Sequence, residues 1–302
     1  MSHQTAPSSG ARSFIYNAQI DELEADFRTL VARTMKSVRS GVPKADKVFG
    51  DFSPIVSLAR SVAYHEGKLL ELGIARIVAC NPDLALLPTD RSMPIVPAAV
   101  ELLKRNDWSS LKGIRLPSEV HALDSYTPDL LIAHKRRHSG LIIDVKRSLG
   151  SYVETRLEAL RFRMMAVAAI ASSWLTERQG PVLVEVSTAI IDGSDEISDH
   201  DKGVFSLSEI DALLEIGGAG AAMAHLRSTF AHNVRAELMK QCQVVVGTTT
   251  DGIGLVASRS NGREAADQGD NVALPDIPSG NLLALRQHQD VRIGFARPHT
   301  VH

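Results

Sequence analysis

Two carboxylates and one ammonium group occur close together in an apolar stretch of the chain. Asp129 precedes the apolar run of residues 130–133, and Asp144 and Lys146 come at the end of a second apolar run. Such runs favour buried strands, and the basic residues between them favour a turn. Because strand side chains alternate between faces, Asp144 and Lys146 share one face, and Asp129 on the neighbouring strand can face the same way. Burying these charges together is costly unless a metal or a substrate pairs with them, so the stretch predicts a functional site.

The residues of this stretch also form a known motif. Pro128-Asp129 followed by Asp144-Val145-Lys146 resembles the PD-(D/E)xK nuclease superfamily. The resemblance implies that Asp129, Asp144, the backbone carbonyl of Val145 and a helix glutamate hold one or two Mg²⁺ ions, with Mn²⁺ as a substitute. It also implies that Lys146 positions the attacking water during hydrolysis of a DNA phosphodiester bond.

The helix glutamate has two candidates. Residues Gly67 to Ala75 resemble the family's pattern of a small residue followed by a glutamate, in which Gly67 and Ala75 let the helix approach the sheet, and this pattern favours Glu71. Helical spacing alone leaves the choice open, because Glu66 lies nearer the centre of the apolar stripe. Glu119 is a spare acidic candidate. For either helix residue, the alternative is a surface glutamate at the edge of a packed helix.

Contacts with DNA must come from local basic patches, because the net charge is −2 and the pI is about 6.6. Three patches lie around the motif in the sequence, and we expect them to flank the site. Their candidate DNA-binding residues are Lys135, Arg136, Arg137, Arg147, Arg156 and Arg163. The alternative for each patch is a solvated surface or a set of ion pairs.

Composition excludes several other classes of protein. The chain has 302 residues, of which 44% are hydrophobic, which is enough for a buried core. Two cysteines give neither a disulfide framework nor a zinc cluster. The beginning of the chain lacks the apolar stretch of a secretory signal, and no run approaches the roughly 20 apolar residues of a membrane span. We therefore expect a cytoplasmic protein without a membrane segment.

The resemblance implies an α/β fold with a restriction-endonuclease-like core, in which a central mixed β-sheet is flanked by helices, with helical additions at both ends. The expected divisions are an N-terminal arm and amphipathic helix (1–50), the nuclease-like core with an insertion (51–192, insertion 81–118), a helical and hairpin region (193–257), and a mobile linker and tail (258–302).

Periodicity and turn signals predict the individual elements. The predicted helices cover residues 20–38, 54–80, 98–104, 152–177, 206–215 and 221–241. The predicted strands, besides the hairpin of the motif, cover residues 113–123 and 182–191, a second hairpin (244–246 with 253–256) and an edge pair (282–285 with 291–295).

Other interpretations of the motif stay open at this stage. A nuclease of this kind could be a restriction enzyme, a repair or recombination enzyme, or a nicking enzyme of a mobile element, and sequence-specific cutting would need a homodimer or added recognition elements. A nuclease-like fold can also bind nucleic acid or a partner protein without cutting. A third interpretation is a structural α/β protein in which the motif arose by chance, with Asp144 and Lys146 as a structural ion pair.

Overall fold

The computed structural model describes residues 14–251 and 290–298, apart from residues 115, 119–120 and 151 and the side chains of residues 248–251. The α-helices in these ranges are α1 (Ile20–Ser40), α2 (Ser53–Val78), α3 (Pro97–Arg105), α4 (Glu154–Glu177), α5 (Ile210–Leu214) and α6 (Ala219–Asp251). The strands are β1 (Tyr16–Asn17), β2 (Leu84–Leu87), β3 (Met93–Ile95), β4 (Ser110–Ile114), β5 (Asp124–Tyr126), β6 (Leu130–His134), β7 (Ser139–Lys146), β8 (Glu185–Asp192), β9 (Val204–Ser206), β10 (Ile216–Gly217) and β11 (Val291–Phe295).

A central sheet of mixed direction organises the fold. Its strand order is β2-β6-β7-β8-β11-β4, and β9 pairs with the end of β8 that lies beyond β11. Strands β7, β8, β9 and β11 are parallel, whereas β6 and β4 are antiparallel to their neighbours. The chain passes from β7 to β8 through α4, the kind of crossover that parallel neighbours require. The expected α/β fold, with a central mixed sheet flanked by helices, is confirmed.

Helices cover both faces of this sheet. Alternate side chains of β7 point to opposite faces, so that Ile143 and Val145 pack in one core and Ile142 packs in the other. The first core lies against α1, α2, α5 and α6, and the second lies against α3 and α4. Within α4, the run of residues 164–171 is buried on all sides, because the helix is enclosed between the sheet and α3.

The amphipathic helix near the start of the chain is confirmed as α1. Its apolar side packs on α2 and α6, where its buried apolar residues are Leu23, Phe27, Val31, Met35 and Val38. Ion pairs at the edges of this contact join Asp26 to Arg76 at 2.5 Å and Arg39 to Glu237 at 2.8 Å. The helix therefore forms part of the first core.

The prediction for the segment before the hairpin was wrong in two respects. Residues 81–118 were expected to be an insertion, but β2 within them is an edge strand of the central sheet, paired with β6. Proline flanks this short apolar run on both sides, and an edge strand tolerates proline because one of its sides forms no ladder. The strand expected over residues 113–123 is not formed in the described residues 116–118 and 121–123, since β4 ends at Ile114 and β5 begins at Asp124.

The end of the chain also differs from the prediction. Residues 244–246 continue α6 instead of forming a hairpin strand, because the helical pattern extends past the expected stop, whereas residues 253–256 and 282–285 lie outside the described residues. Strand β11 does form over residues 291–295, but it lies inside the sheet between β8 and β4. This part of the expected mobile tail is therefore a core strand.

Two remaining predictions concern the region after β8 and membrane spans. The helix expected over residues 206–215 is shorter, with β9 and a 3-10 turn before α5. Of the helices in the described ranges, none has both the length and the apolar character needed to cross a bilayer.

Candidate active site

The β6–β7 hairpin brings two carboxylates together. Leu130 pairs with Ile143, so the next position in this antiparallel register sets Asp129 opposite Asp144. The backbone N–H of Val145 donates a hydrogen bond of 2.7 Å to Asp129 Oδ2, which ties the end of β6 to β7. The hairpin predicted from the sequence is thus confirmed, and it places the two acidic residues of the motif side by side.

Asp144 is buried and has a partner for each carboxylate oxygen. Only 3% of the residue is exposed. The hydroxyl of Tyr126 donates a hydrogen bond of 2.7 Å to Oδ2, and Lys146 Nζ forms an ion pair with Oδ1. Burial acts to lower the pKa of Lys146, but the charge of Asp144 and the hydrogen bond to it outweigh burial and raise that pKa. Lys146 is therefore held charged beside Asp144.

Asp129 has a raised pKa. Burial first, and then repulsion from the charge of Asp144, raise its pKa to about 6, although the Val145 hydrogen bond opposes the change. Glu71 adds a further repulsive contribution. Two adjacent carboxylates that resist being ionised together form an arrangement that a cation would relieve.

The structure separates the two candidate glutamates of α2. Glu71 is near enough to Asp129 to affect its pKa, and it accepts a hydrogen bond of 2.5 Å from Lys68. Glu66 instead accepts hydrogen bonds of 2.5 Å from Arg147 and 3.0 Å from Arg227. Glu66 therefore links α2 to α6 and to the segment after β7, whereas Glu71 belongs to the neighbourhood of the carboxylate pair.

The small residues of α2 act differently from the prediction. A side chain at Gly67 would meet no atom within 4 Å, so this glycine does not serve a close approach to the sheet. The tight contact is at Gly73, where a Cβ would lie 2.4 Å from Leu226 Cδ2 on α6. Ala75 is partly buried against the first core. The predicted approach to the sheet at Gly67 is therefore not found, and the close contact of α2 is with α6 at Gly73.

A complete three-ligand metal cluster is not present in the described residues. No three histidine, cysteine, aspartate or glutamate side chains of residues 14–251 and 290–298, with the gaps given above, lie close enough together to hold one ion. Asp129 and Asp144 nevertheless form a donor set of the type that suits Mg²⁺, which commonly binds one or two carboxylates and keeps several waters. Asp129, Asp144 and the carbonyl of Val145 are thus the residues that could hold the ion.

The predicted basic patches do not flank the site together. Lys135, Arg136 and Arg137 form the turn at the other end of the hairpin, about 16 Å from Asp129 along the five residues of β6. Lys135 donates to the carbonyl of Pro82, and Arg136 and Arg137 form ion pairs with Asp83 and Glu215. The prediction that this turn flanks the carboxylates was wrong, because a turn and the open end of a hairpin lie at opposite ends of its strands.

The other predicted basic residues lie nearer to the site. Arg163 is positioned over the ring of Tyr126, with its guanidinium carbon 5.7 Å from the ring centroid, and it donates 2.8 Å to the carbonyl of Ser125. Arg156 is exposed on the same helix, and Arg147 is half exposed but paired with Glu66. Of the basic residues predicted to bind DNA, Arg163 has the most direct link to the carboxylates, through Tyr126.

Sequence reasoning missed two residues that position the site. Tyr126 lies three residues before Asp129 in the sequence and was assigned no role, yet its hydroxyl donates a hydrogen bond to Asp144. Asp192 is fully buried opposite Lys146 in the β7–β8 register, and it accepts hydrogen bonds from the backbone of Leu149 and from Ser194. Burial opposes ionisation of Asp192, but these bonds outweigh it and lower its pKa. The only sequence signal for it was an aspartate that ends an apolar strand.

A separate cavity of about 620 Å³ lies at the turn end of the hairpin. Its charged lining includes two ion pairs, Arg137 with Glu215 and Arg292 with Glu185. These groups are distant from Asp144 and neutralise each other, so we place the candidate chemistry at the carboxylates.

Comparison with known proteins leaves the chain without an assigned family. No protein-family model matches it. Neither a curated protein nor a solved structure shows significant similarity to it.

Proposed function

We propose that the protein is a metal-dependent nuclease of the PD-(D/E)xK type that hydrolyses DNA phosphodiester bonds. The observation that carries the proposal is the pairing of Asp129 with Asp144 across the hairpin, with Lys146 beside Asp144. The raised pKa of Asp129 supports it, because a bound cation would relieve the repulsion that causes it.

The order of elements supports a restriction-endonuclease-like core as part of this proposal. In chain order, α2 is followed by β2, β6 and β7 of one antiparallel meander, then by α4, and then by β8 parallel to β7. This is the succession of helix, three strands, helix and strand that the motif resemblance implies. Between β2 and β6 the chain also forms β3, α3, β4 and β5, of which β4 joins the far edge of the central sheet.

The proposed chemistry assigns a role to each residue of the site. Asp129, Asp144 and the carbonyl of Val145 would hold Mg²⁺, which when bound lowers the pKa of a water and neutralises charge on the phosphoryl oxygens. Lys146 positions the attacking water and offsets the negative charge that develops at phosphorus. Tyr126 fixes the orientation of Asp144 through the hydrogen bond to Oδ2. Glu71, beside Asp129, supplies a further acidic group.

A plasmid cleavage assay tests the proposal. The wild-type protein should nick or cut supercoiled plasmid in Mg²⁺ or Mn²⁺ and should leave it intact in EDTA. Asp144→Ala and Asp144→Asn should each lower the rate by about 100-fold or more, because both remove a charged ligand. The asparagine variant keeps an acceptor for Tyr126, which separates loss of charge from loss of structure.

The matched control for this assay is Asp21→Asn. Asp21 is an exposed aspartate in the first turn of α1, which belongs to the first core and contributes no residue to the carboxylate pair. It should cleave like the wild type. Wild-type protein that never cleaves DNA in either metal, and whose behaviour Asp144→Ala does not change, would rule out the nuclease.

One observation favours a second candidate, a nucleic-acid-binding module that does not cut. The three acidic side chains form no single cluster in the described residues, and Lys68 and Lys146 already pair with Glu71 and Asp144. A module of this kind would shift DNA on a gel in EDTA as well as in Mg²⁺, without producing cleavage products. The assay above therefore separates the two candidates.

A further inference from the structure

The outer side of α2 carries a stripe that the proposed chemistry does not use. Arg60, Tyr64, Gly67 and Glu71 follow one another at spacings of four, three and four residues, so they lie on one side of the helix. Lys68 adjoins the same stripe, is exposed, and pairs with Glu71. The stripe leads toward the candidate active site, because the charge of Asp129 acts on Lys68 and the charge of Glu71 acts on Asp129.

Tyr64 is exposed to an unusual degree for a tyrosine on a packed helix. Its relative exposure is 77%, and its ring contacts only the edge of the neighbouring His65 among the ring pairs of the described residues. Arg60 and Lys68, one turn away on either side, are also exposed. An exposed aromatic face between two cationic side chains is the combination that binds an unpaired nucleic-acid strand, in which bases stack on the ring and phosphates meet the charges.

Gly67 is a second and independent observation. Glycine inside a helix lowers helix stability relative to alanine, so its presence usually has a packing reason. The part of the chain that the structure describes offers no such reason, since a Cβ at Gly67 would meet none of its atoms within 4 Å. Glycine also lets a ligand approach the backbone closely. Gly67 lies between Tyr64 and Glu71 on the helix, so a nucleic-acid strand that runs from Tyr64 toward the carboxylates would pass over it.

We propose that Arg60, Tyr64, Gly67 and Lys68 form a binding track for single-stranded DNA that leads the strand to Asp129 and Asp144. The track deepens the proposed function, on which it rests for the identity of the substrate. It favours an unpaired strand over a duplex because the bases of a duplex are already stacked on each other and do not offer a face to Tyr64. The substrates of the site are then single strands, or duplexes with an unpaired end or gap.

Binding measurements in EDTA, in which no hydrolysis takes place, test the track. The probes are a fluorescein-labelled oligothymidylate and a labelled duplex of equal length, followed by fluorescence anisotropy. The wild-type protein should bind the single strand more tightly than the duplex. Tyr64→Ala should weaken single-strand binding about 10-fold, and Tyr64→Phe, which keeps the ring, should stay within about 2-fold of wild type.

Two glycine variants give a readout that a purely structural role would not produce. Gly67→Ala should raise the melting temperature, because alanine favours the helix, and yet weaken single-strand binding, because its methyl group occupies the track. Gly67→Leu should weaken binding further. The control is Gly247→Ala in α6, at a second glycine whose Cβ would meet no atom within 4 Å, and it should bind like the wild type.

The outcomes distinguish the track from the nuclease. Single-strand binding that depends on Tyr64 and Gly67, without any cleavage in Mg²⁺ or Mn²⁺, would support the track and overturn the hydrolysis. Cleavage that depends on Asp144, with Tyr64→Ala and Gly67→Leu binding like the wild type, would overturn the track alone. Wild-type protein that binds the single strand no better than the duplex would also overturn it.

Discussion

At the scale of single residues, the site is defined by how its carboxylates share their surroundings. Asp144 is satisfied by Tyr126 and Lys146, whereas Asp129 is left to bear burial and the repulsion of its neighbours. Burial and this repulsion raise the pKa of Asp129 to about 6, so Asp129 responds to pH near neutrality.

The substitution Asp129→Asn should change how the free energy of unfolding depends on pH. The pKa of Asp129 is raised to about 6 in the folded protein, above the usual value of about 3.9 in an unfolded chain. The folded state therefore binds the proton more tightly than the unfolded state between about pH 4 and pH 6, and its stability falls as pH rises through that window. The variant lacks this titration and keeps an acceptor for Val145, so above pH 6 it should be more stable than wild type by roughly 1–3 kcal/mol.

Urea denaturation of both proteins at pH 4.5 and pH 8 measures this effect. The advantage of the variant should be largest at pH 8 and should shrink toward pH 4.5. Asp21→Asn, at an exposed carboxylate, should show no such pH-dependent advantage. A variant that is destabilised equally at both pH values would mean that Asp129 is not strained by ionisation.

At the scale of elements, α2 serves two purposes on its two sides. Its inner side packs on α1, α6 and the sheet, and its outer side carries the proposed DNA track. Gly67 and Gly73, six positions apart, belong to these different sides. Gly73 is required by packing, because a side chain there would overlap Leu226 and Met223 of α6.

Alanine at these two glycines should therefore have opposite effects on stability. In Gly73→Ala, the new Cβ would lie 2.4 Å from Leu226 Cδ2 and 2.8 Å from Met223 Sδ, so these two buried side chains of α6 must shift. The net cost should be about 1–2 kcal/mol, since overpacking outweighs the gain in helix propensity. Gly67→Ala is the matched control and should gain about 0.5–1 kcal/mol.

Chemical denaturation and far-ultraviolet circular dichroism check this pair of variants. Both should remain helical, and only Gly73→Ala should unfold at a lower denaturant concentration than wild type. Equal shifts in the same direction would show that α6 does not pack against Gly73.

At the scale of the whole molecule, a strand from the end of the chain completes the sheet. Strand β11 lies between β8 and β4 in the sheet. Strand β4 is therefore paired to the rest of the sheet through β11, which follows β4 by almost 180 positions in the chain. Ile293 at the centre of β11 is fully buried in the second core. The fold therefore depends on residues outside the motif-bearing core of the sequence prediction.

Ile293→Ala should reveal this dependence. Removing a fully buried isoleucine side chain should cost about 2–5 kcal/mol, because it leaves a cavity between the sheet and α4. Its neighbour Arg292 is exposed and pairs with Glu185 at the surface, so Arg292→Ala should cost no more than about 1 kcal/mol. Urea denaturation at pH 7.5 measures both values, and similar losses for the two variants would contradict the position of β11.

The elements that were predicted correctly are those determined by residues close to one another in the sequence. The long helices and the hairpin follow from apolar periodicity and turn residues within a short window of sequence. Strand β2 was missed, and β11 was predicted as a strand but at an edge instead of inside the sheet, because the partners of both strands are distant in the chain. A turn was predicted over residues 134–140 and forms over residues 135–138, but its distance from the carboxylates depends on strand direction.

The sequence by itself determined that Asp144 and Lys146 share a face, that Asp129 adjoins them, and that long helices precede and follow the hairpin, because these features depend only on residue spacing. The tertiary structure decided that Glu66 pairs with Arg147 while the charge of Glu71 acts on Asp129, that Tyr126 holds Asp144, and that Asp192 anchors the segment after Lys146. The positions of these side chains depend on the rotation of each helix about its axis and on contacts between residues distant in the chain. Both the helix rotations and these contacts are set by the packing of the complete core.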